Sequence, residues 1–243
     1  MLTAAQIKLI RSLARKKERE ACGLFVVEGE KLVAEALRSG WEVEAVYRAD
    51  EVGEKTMERI SLLSSPSPAL ALVRIPDRSL AALPGKGLYL ALDGIRDPGN
   101  LGTILRIADW FGIDGVFLSP DTADPFNPKV VQATMGALFR VPFQTAVIPE
   151  LCRDIARRGG SVYGTFLDGE NLYEKTLSCG LDAPSLIVIG NEANGISPET
   201  AAVVTDRLYI PPFPPDDPGS ESLNAAVATA VTVAEFRRRQ TAS

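Results

Sequence analysis

From Leu88 onward the chain alternates short apolar runs with amphipathic stretches, and this alternation limits the possible architectures more than any other feature. Leu88–Leu92, Gly115–Leu118, Val162–Thr165, Leu186–Ile189 and Leu208–Ile210 read as strands. Helical spacing lies between most of them, at Leu101 to Phe111, Lys129 to Leu138, Pro149 to Arg158 and Pro198 to Val204, with a final helix from Leu223 to Arg239. Strands separated by helices are joined by crossovers, which predicts an α/β fold with a mainly parallel sheet covered on both faces. Ligands of such sheets bind beyond the carboxyl ends of the strands, so the loops there are the places to look for chemistry.

Ahead of this region the pattern differs. Thr3 to about Lys17 reads as one amphipathic basic helix, followed by an apolar run Leu24 to Val27, a helix from Glu28 to Arg38, a strand over Val43 to Tyr47, a helix over Lys55 to Leu63 and a strand over Leu70 to Ile75. The turn-forming Pro84-Gly85-Lys86-Gly87 marks a boundary, giving a small first domain over 1–84 and a second over 88–243. At 243 residues, 46% hydrophobic and 23% charged, the chain has globular composition, which excludes fibrous and disordered classes. No apolar run approaches the ~20 residues of a membrane helix, and the first residues lack the order of a secretory signal, so a cytoplasmic protein is expected.

Histidine is absent, which removes Ser-His-Asp and Cys-His machinery and the commonest metal ligand. Cys22, Cys152 and Cys179 are far apart and form no C-x-x-C pair, so neither a disulfide framework nor a thiolate zinc site is expected. The net charge of -5 is segregated. Lys8, Arg11, Arg15, Lys16, Lys17 and Arg19 stand near the start against only Glu18 and Glu20, and Arg237, Arg238 and Arg239 stand near the end. Such segregation allows a phosphate-binding edge on an acidic protein, although a solvated helix face has the same pattern.

Three loops are unusual. Asp93 to Thr103 leads from a strand into a helix that carries Arg106 among apolar residues, where a cation would need a partner or a ligand; Asn100 is a candidate cap. Gly190-Asn191-Glu192-Ala193-Asn194-Gly195-Ile196-Ser197 puts an acid and two amides on a glycine turn. Ile210 to Asn224 is stiffened by Pro211, Pro212, Pro214, Pro215 and Pro218, with Ser220 or Ser222 available to cap the last helix. Each loop alone is equally well read as structural.

In this order, the three loops resemble the signature motifs of the SpoU (TrmH-like) family of RNA ribose 2'-O-methyltransferases in the SPOUT superfamily. Asn100 to Arg106 matches the first motif, Gly190 to Ile196 the second and Ser222 to Ala226 the third, while Lys129 to Ala137 looks like the family's intervening segment. Gly23 to Lys31 with Glu35-Ala36-Leu37 resembles the small substrate-binding domain of ribosomal-RNA members, which is related to a ribosomal protein fold. The resemblance implies a C-terminal trefoil knot, a homodimer, S-adenosylmethionine as cofactor without a metal, and transfer of a methyl group to a ribose 2'-hydroxyl, with 23S ribosomal RNA the favoured substrate.

Carried over residue by residue, the resemblance makes Arg106, Asn100, Glu192, Ser222 and Asn224 catalytic and places Thr165, Gly190, Asn191, Gly195, Ile210 and Leu223 around the cofactor. It turns Arg15, Lys16, Lys17, Arg19 and Lys31 into expected RNA contacts. A guanidinium is a poor base, so Arg106 is expected to orient the hydroxyl and stabilise developing negative charge. The long proline-rich segment before Ser222 and the Ala225-Ala226 pair depart from the family pattern. A non-catalytic RNA-binding module and a nucleotide- or NAD-dependent α/β enzyme are the alternatives; the missing G-x-G-x-x-G fingerprint counts against the latter.

Overall fold

A computed structural model describes residues 2–76, 85–214 and 221–242, with the side chain of Ala242 not included. The chain divides into two compact units, Met1–Asp77 with Asp124–Arg140, and Arg78–Ala123 with Val141–Ser243. By compactness, the segment carrying Lys129 to Leu138, inside the expected second domain over 88–243, groups with the first unit. Pro84, in the expected boundary turn, lies outside the described residues.

The first unit runs α1 (Ala4–Ser12), α2 (Lys16–Cys22), β1 (Leu24–Glu28), α3 (Glu30–Arg38), β2 (Val43–Arg48), α4 (Ala49–Val52), α5 (Glu54–Ile60) and β3 (Ala69–Arg74). Its sheet is antiparallel in the order β1-β3-β2. One core gathers Ile10 and Leu13 of the first helical region with Leu24, Val26, Met57, Ile60, Leu70 and Leu72. Phe25 points to the other face, where its ring lies 6.0 Å from Trp41 and 5.0 Å from Phe126. Both faces of β1 are therefore buried, which explains its unbroken apolar run.

The single helix expected over Thr3 to Lys17 is two helices. α1 opens on a capping box between Thr3 and Gln6 and ends at Leu13. The carbonyls just past it are taken by a side chain: the Arg19 guanidinium donates to Leu13 O at 2.7 Å and Ala14 O at 2.9 Å and pairs with Asp124. α2 then stops at Gly23, whose φ of 65° fits the left-handed cap a glycine supplies.

The second unit opens with β4 (Leu88–Asp93), α6 (Pro98–Trp110) and β5 (Gly115–Leu118). The chain returns to the first unit for α7 (Pro128–Thr134) and a 3-10 turn at Ala137–Phe139, then re-enters the second with β6 (Phe143–Thr145) and α8 (Ile148–Arg157). β7 (Ser161–Asn171), β8 (Ser185–Gly190), α9 (Pro198–Ala201), β9 (Asp206–Tyr209) and α10 (Ala225–Ala242) complete it. The strand order is β6-β5-β4-β8-β7-β9, every pairing parallel, as the alternation predicts. Tyr89, Ala91, Phe117, Ile148, Ile155, Val162, Leu186 and Val188 share one core between sheet and helices.

β7 is longer than its apolar pattern. It continues past Thr165 because Gly169 presses against the β9 backbone, where an added Cβ would fall 2.6 Å from the Leu208 carbonyl carbon, and Arg207 lies 3.5 Å over the Phe166 ring. β6, only three residues long, shows too little periodicity to be read from sequence. α9 ends at Ala201 rather than Val204.

α10 is fastened along its length. Arg237 donates to Phe111 O at 2.7 Å, and Arg239 donates to Lys175 O at 2.5 Å and Tyr173 O at 2.8 Å. Glu235, 6% exposed, binds Arg238 at 2.7 Å and Arg239 at 2.6 Å. Hydrogen bonds from Arg238 and Arg239 hold the Glu235 carboxyl down at about 2. A depressed folded-state carboxyl stabilises the fold above its unfolded value and loses that contribution as pH falls toward the folded value. Glu235→Gln is thus expected to unfold more easily than the parent at pH 7, with the gap closing between about pH 4.5 and pH 2 in urea titrations. A gap unchanged across that range would refute it.

Candidate functional site

At the carboxyl edge of the parallel sheet, β4 and β8 end side by side with Asp93 opposite Gly190. The loop after β8 folds back at once: Asn191 and Gly195 exchange backbone hydrogen bonds of 2.9 and 2.8 Å, and Gly195 adopts φ 66°. At Gly190 an added Cβ would sit 2.2 Å from the Gly195 carbonyl carbon and the Ile196 nitrogen, so no other residue closes this turn.

Two side chains tie the loop to the end of β4. Asn191 donates to Gly94 O at 2.7 Å and accepts from Ala193 N at 2.8 Å, which commits it to holding the loop's shape. Asp93 accepts from both the backbone and the hydroxyl of Ser197 at 2.8 Å. Neither Asp93 nor Ser197 is among the site residues expected from sequence; a carboxylate ending an otherwise apolar strand is the one signal that points to it.

α6 begins at the same edge. Its N-cap is Asp97, which accepts from Asn100 N at 2.8 Å, with Pro98 in the first turn. This corrects the expectation that Asn100 caps the helix: Asn100 lies one turn in, and its side chain is free for other work. α10 begins there too, and its cap is Asn224 rather than Ser222, with Oδ1 accepting from Ala226 N at 2.9 Å and Val227 N at 3.3 Å. Ser222 is exposed and makes no hydrogen bond among the described residues, and Ser220 lies outside them with the loop residues from Pro215 on.

The two caps fix a three-residue chain. Because Asn224 Oδ1 serves the helix, its Nδ2 is the outward donor, and it reaches Asn100 Oδ1 at 2.9 Å. Asn100 must then turn its own Nδ2 the other way, where it donates to Glu192 Oε1. Residues 92 and 124 positions apart are thereby joined on three separate elements. Glu192 is exposed, and Oε2 has no partner among the described residues.

Arg106 is also exposed, without hydrogen bond or ion pair among the described residues. Its charge is therefore not buried among the apolar residues of α6, as the sequence suggested, but points to solvent. It lies about 9 Å along the axis and about a third of a turn around from Asn100. The same face carries Trp110, 85% exposed. Thr165 is half-buried and donates to Val188 O at 3.3 Å, Ile210 is half-buried directly after β9, and Leu223, 47% exposed, presents an apolar surface ahead of α10.

The expected RNA contacts fall in the first unit. Lys17 and Lys31 are exposed and without ion-pair partners among the described residues. Arg15 is exposed and lies 3.3 Å from Glu18, and Lys16 is 3.8 Å from Glu20. Arg19 is a correction: it is 2% exposed, and its guanidinium is consumed by Asp124 and the end of α1, so no phosphate can reach it.

Residues 87–234 match the SpoU rRNA Methylase family. The chain belongs to that family. Residues 4–65 match the MRM3-like substrate binding domain. Among this SpoU chain's relatives is the 23S rRNA (guanosine(2553)-2'-O)-methyltransferase RlmP of Bacillus subtilis, 31% identical with 96% of each chain covered. A solved structure from Porphyromonas gingivalis, described as a member of the TrmH family of RNA methyltransferases, superposes with a TM-score of 0.86 at 42% identity over 98% of this chain and 99% of that one. The AdoMet-bound rRNA methyltransferase of Sinorhizobium meliloti superposes with a TM-score of 0.83 at 31% identity, covering 98% and 96%. The nicotinamide-dependent alternative gives way to this membership. No helix among the described residues is long and apolar enough to cross a membrane.

Proposed function

We propose that this SpoU protein transfers the methyl group of S-adenosylmethionine to a ribose 2'-hydroxyl of 23S ribosomal RNA in the cytoplasm. The observation that carries the reading is the Glu192–Asn100–Asn224 chain at the sheet's carboxyl edge, with Arg106, exposed and unpaired among the described residues, on the same helix as Asn100. At Gly195 nothing lies within 4 Å of where a Cβ would sit, and the exposed Leu223 offers an apolar surface to a purine, a set that fits the cofactor. When bound, S-adenosylmethionine supplies an already activated methyl group, so the chain's task is positioning and charge. Arg106 orients the ribose and an adjacent phosphate through its forked donors and stabilises negative charge developing on the oxygen. Lys17 and Lys31 of the first unit add sequence-independent attraction to the RNA backbone.

The homodimer and the trefoil knot belong to the same reading. Trp110 and Val227 are exposed at 85% and 49%, and Ala230, Val231 and Ala234 are only half-buried, an apolar helix face that a second copy would cover. The grip of Arg239 on the carbonyls of Leu172, Tyr173 and Lys175 supports a C-terminal helix threaded against that segment.

Calorimetric titration with S-adenosylmethionine, followed by transfer of a labelled methyl to 23S ribosomal RNA, tests the proposal. Saturable binding with 2'-O-methylation supports it; RNA binding without cofactor binding would replace it with the non-catalytic module. Gly190→Ala is expected to weaken cofactor binding at least tenfold, because the turn must open to admit the methyl. Unchanged affinity would remove the turn from the cofactor site.

A further inference from the structure

We infer that Asp93 is the fixed anion that makes the site prefer the cationic cofactor to its neutral-sulfur product; the inference rests on the methyltransferase reading above. S-adenosylmethionine brings a sulfonium charge into the site. When the methyl goes to the ribose oxygen, the C–S electron pair stays on sulfur and the hydroxyl proton ends in solvent, so what leaves is the thioether S-adenosylhomocysteine. The two ligands differ by one methyl group and one positive charge. A side chain that tells them apart by charge has to be an anion that no other group has neutralised.

Asp93 alone meets that condition among the described carboxylates of this edge. Asp97, Glu192 and Glu221 are exposed, and Asp121 is 55% exposed and 3.4 Å from Arg96. Water and salt damp such charges within about 8–10 Å. Asp93 is 9% exposed, and a charge in the interior is screened far less. Its Oδ2 takes the backbone and the hydroxyl of Ser197 at 2.8 Å, both neutral donors, while Oδ1 has no partner and no cation pairs with the carboxylate among the described residues. Its field reaches its surroundings: burial first, and the Asp93 charge second, push the Cys152 thiol of α8 up to about 12. A carboxylate left in this state costs the fold stability, whereas an amide oxygen would accept from Ser197 without that cost. The charge is compensated once a cation enters. Its position suits the sulfonium, because Asp93 ends β4 opposite Gly190, about 5 Å across the strand pair, and Asn191 donates to the next carbonyl, Gly94 O. Gly190 and Asn191 belong to the turn that the cofactor reading puts against S-adenosylmethionine.

Asp93→Asn isolates the charge, since the amide keeps an oxygen for Ser197 at nearly the same volume. The readouts are calorimetric affinities for S-adenosylmethionine and, separately, for S-adenosylhomocysteine, with thermal melts to establish folding. S-adenosylmethionine is expected to bind about tenfold more weakly, while S-adenosylhomocysteine stays within about twofold of wild type, so the ratio of the two affinities collapses. Ser197→Ala keeps the charge and removes one bond to it, and should leave that ratio within about twofold of wild type. Asp93→Ser, also neutral, supplies the same comparison if the asparagine variant does not fold. Equal losses for both ligands would reduce Asp93 to a holder of the loop and overturn the assignment; unchanged affinity for both, or failure of both neutral variants to fold, overturns it as well. A wild-type chain that binds neither ligand overturns the parent reading, and the assignment with it.

Discussion

Arg106→Ala is expected to lower single-turnover methyl transfer by about 10²-fold to 10³-fold, the range found when a preorganised donor to a developing oxyanion is removed. Cofactor affinity should stay within about twofold, because Arg106 sits on the outer face of α6, about 9 Å along the helix from Asn100. Exposure makes the experiment clean, since a surface arginine without a partner among the described residues leaves nothing unsatisfied among them. Arg106→Lys should recover only part of the loss, because an ammonium keeps the charge but not the planar fork that grips an oxyanion and a phosphate together. Quench-flow transfer to 23S ribosomal RNA, with calorimetry on each variant, measures both quantities. Full activity in the lysine variant would remove the fork from the mechanism, and full activity in the alanine variant would remove Arg106.

The second large effect concerns stability. Arg19→Met should destabilise the first unit by about 3–5 kcal/mol, the usual result of removing one partner of a buried ion pair. Asp124, 13% exposed, would lose its cation, and the carbonyls of Leu13 and Ala14 would lose their donors. Replacing both partners, as Arg19→Met with Asp124→Leu, should cost less than the single change, because no lone charge is left behind. Trp41 is nearly buried in the first unit, and a Trp110→Phe background leaves its emission as the report on that unit. Urea titration of that signal measures the difference; a loss under about 1 kcal/mol would show the pair to be incidental.

Much of the site was legible because its residues sit in motifs at the ends of strands. Asn100, Glu192 and Asn224 can be picked out individually, since polar groups on glycine turns and helix starts stand out beside apolar strands. Their order along one hydrogen-bonded chain cannot, because it follows from which oxygen of Asn224 caps α10. Arg19 shows the opposite limit. Beside Arg15, Lys16 and Lys17 it reads as one more surface cation, and its partner is 105 residues away. The parallel sheet followed from alternation, while β6 and the extension of β7 depend on neighbouring strands and on the close approach at Gly169. Asp93 was hidden for a related reason: its role exists only once Ser197, 104 positions on, has been brought back over it.

The chain enters the first unit twice, and this limits how that unit can be handled. A fragment ending near the boundary turn would lack α7, the Phe126 and Phe139 rings that pack on Phe25 and Trp41, and the Asp124 carboxylate that neutralises Arg19. Gln132 would also be missing, and with it the donor to Glu28 O at the end of β1. The first unit is thus not closed by residues 1–77 alone, and a truncation or fusion that is to keep its core intact has to carry residues 124–140 as well.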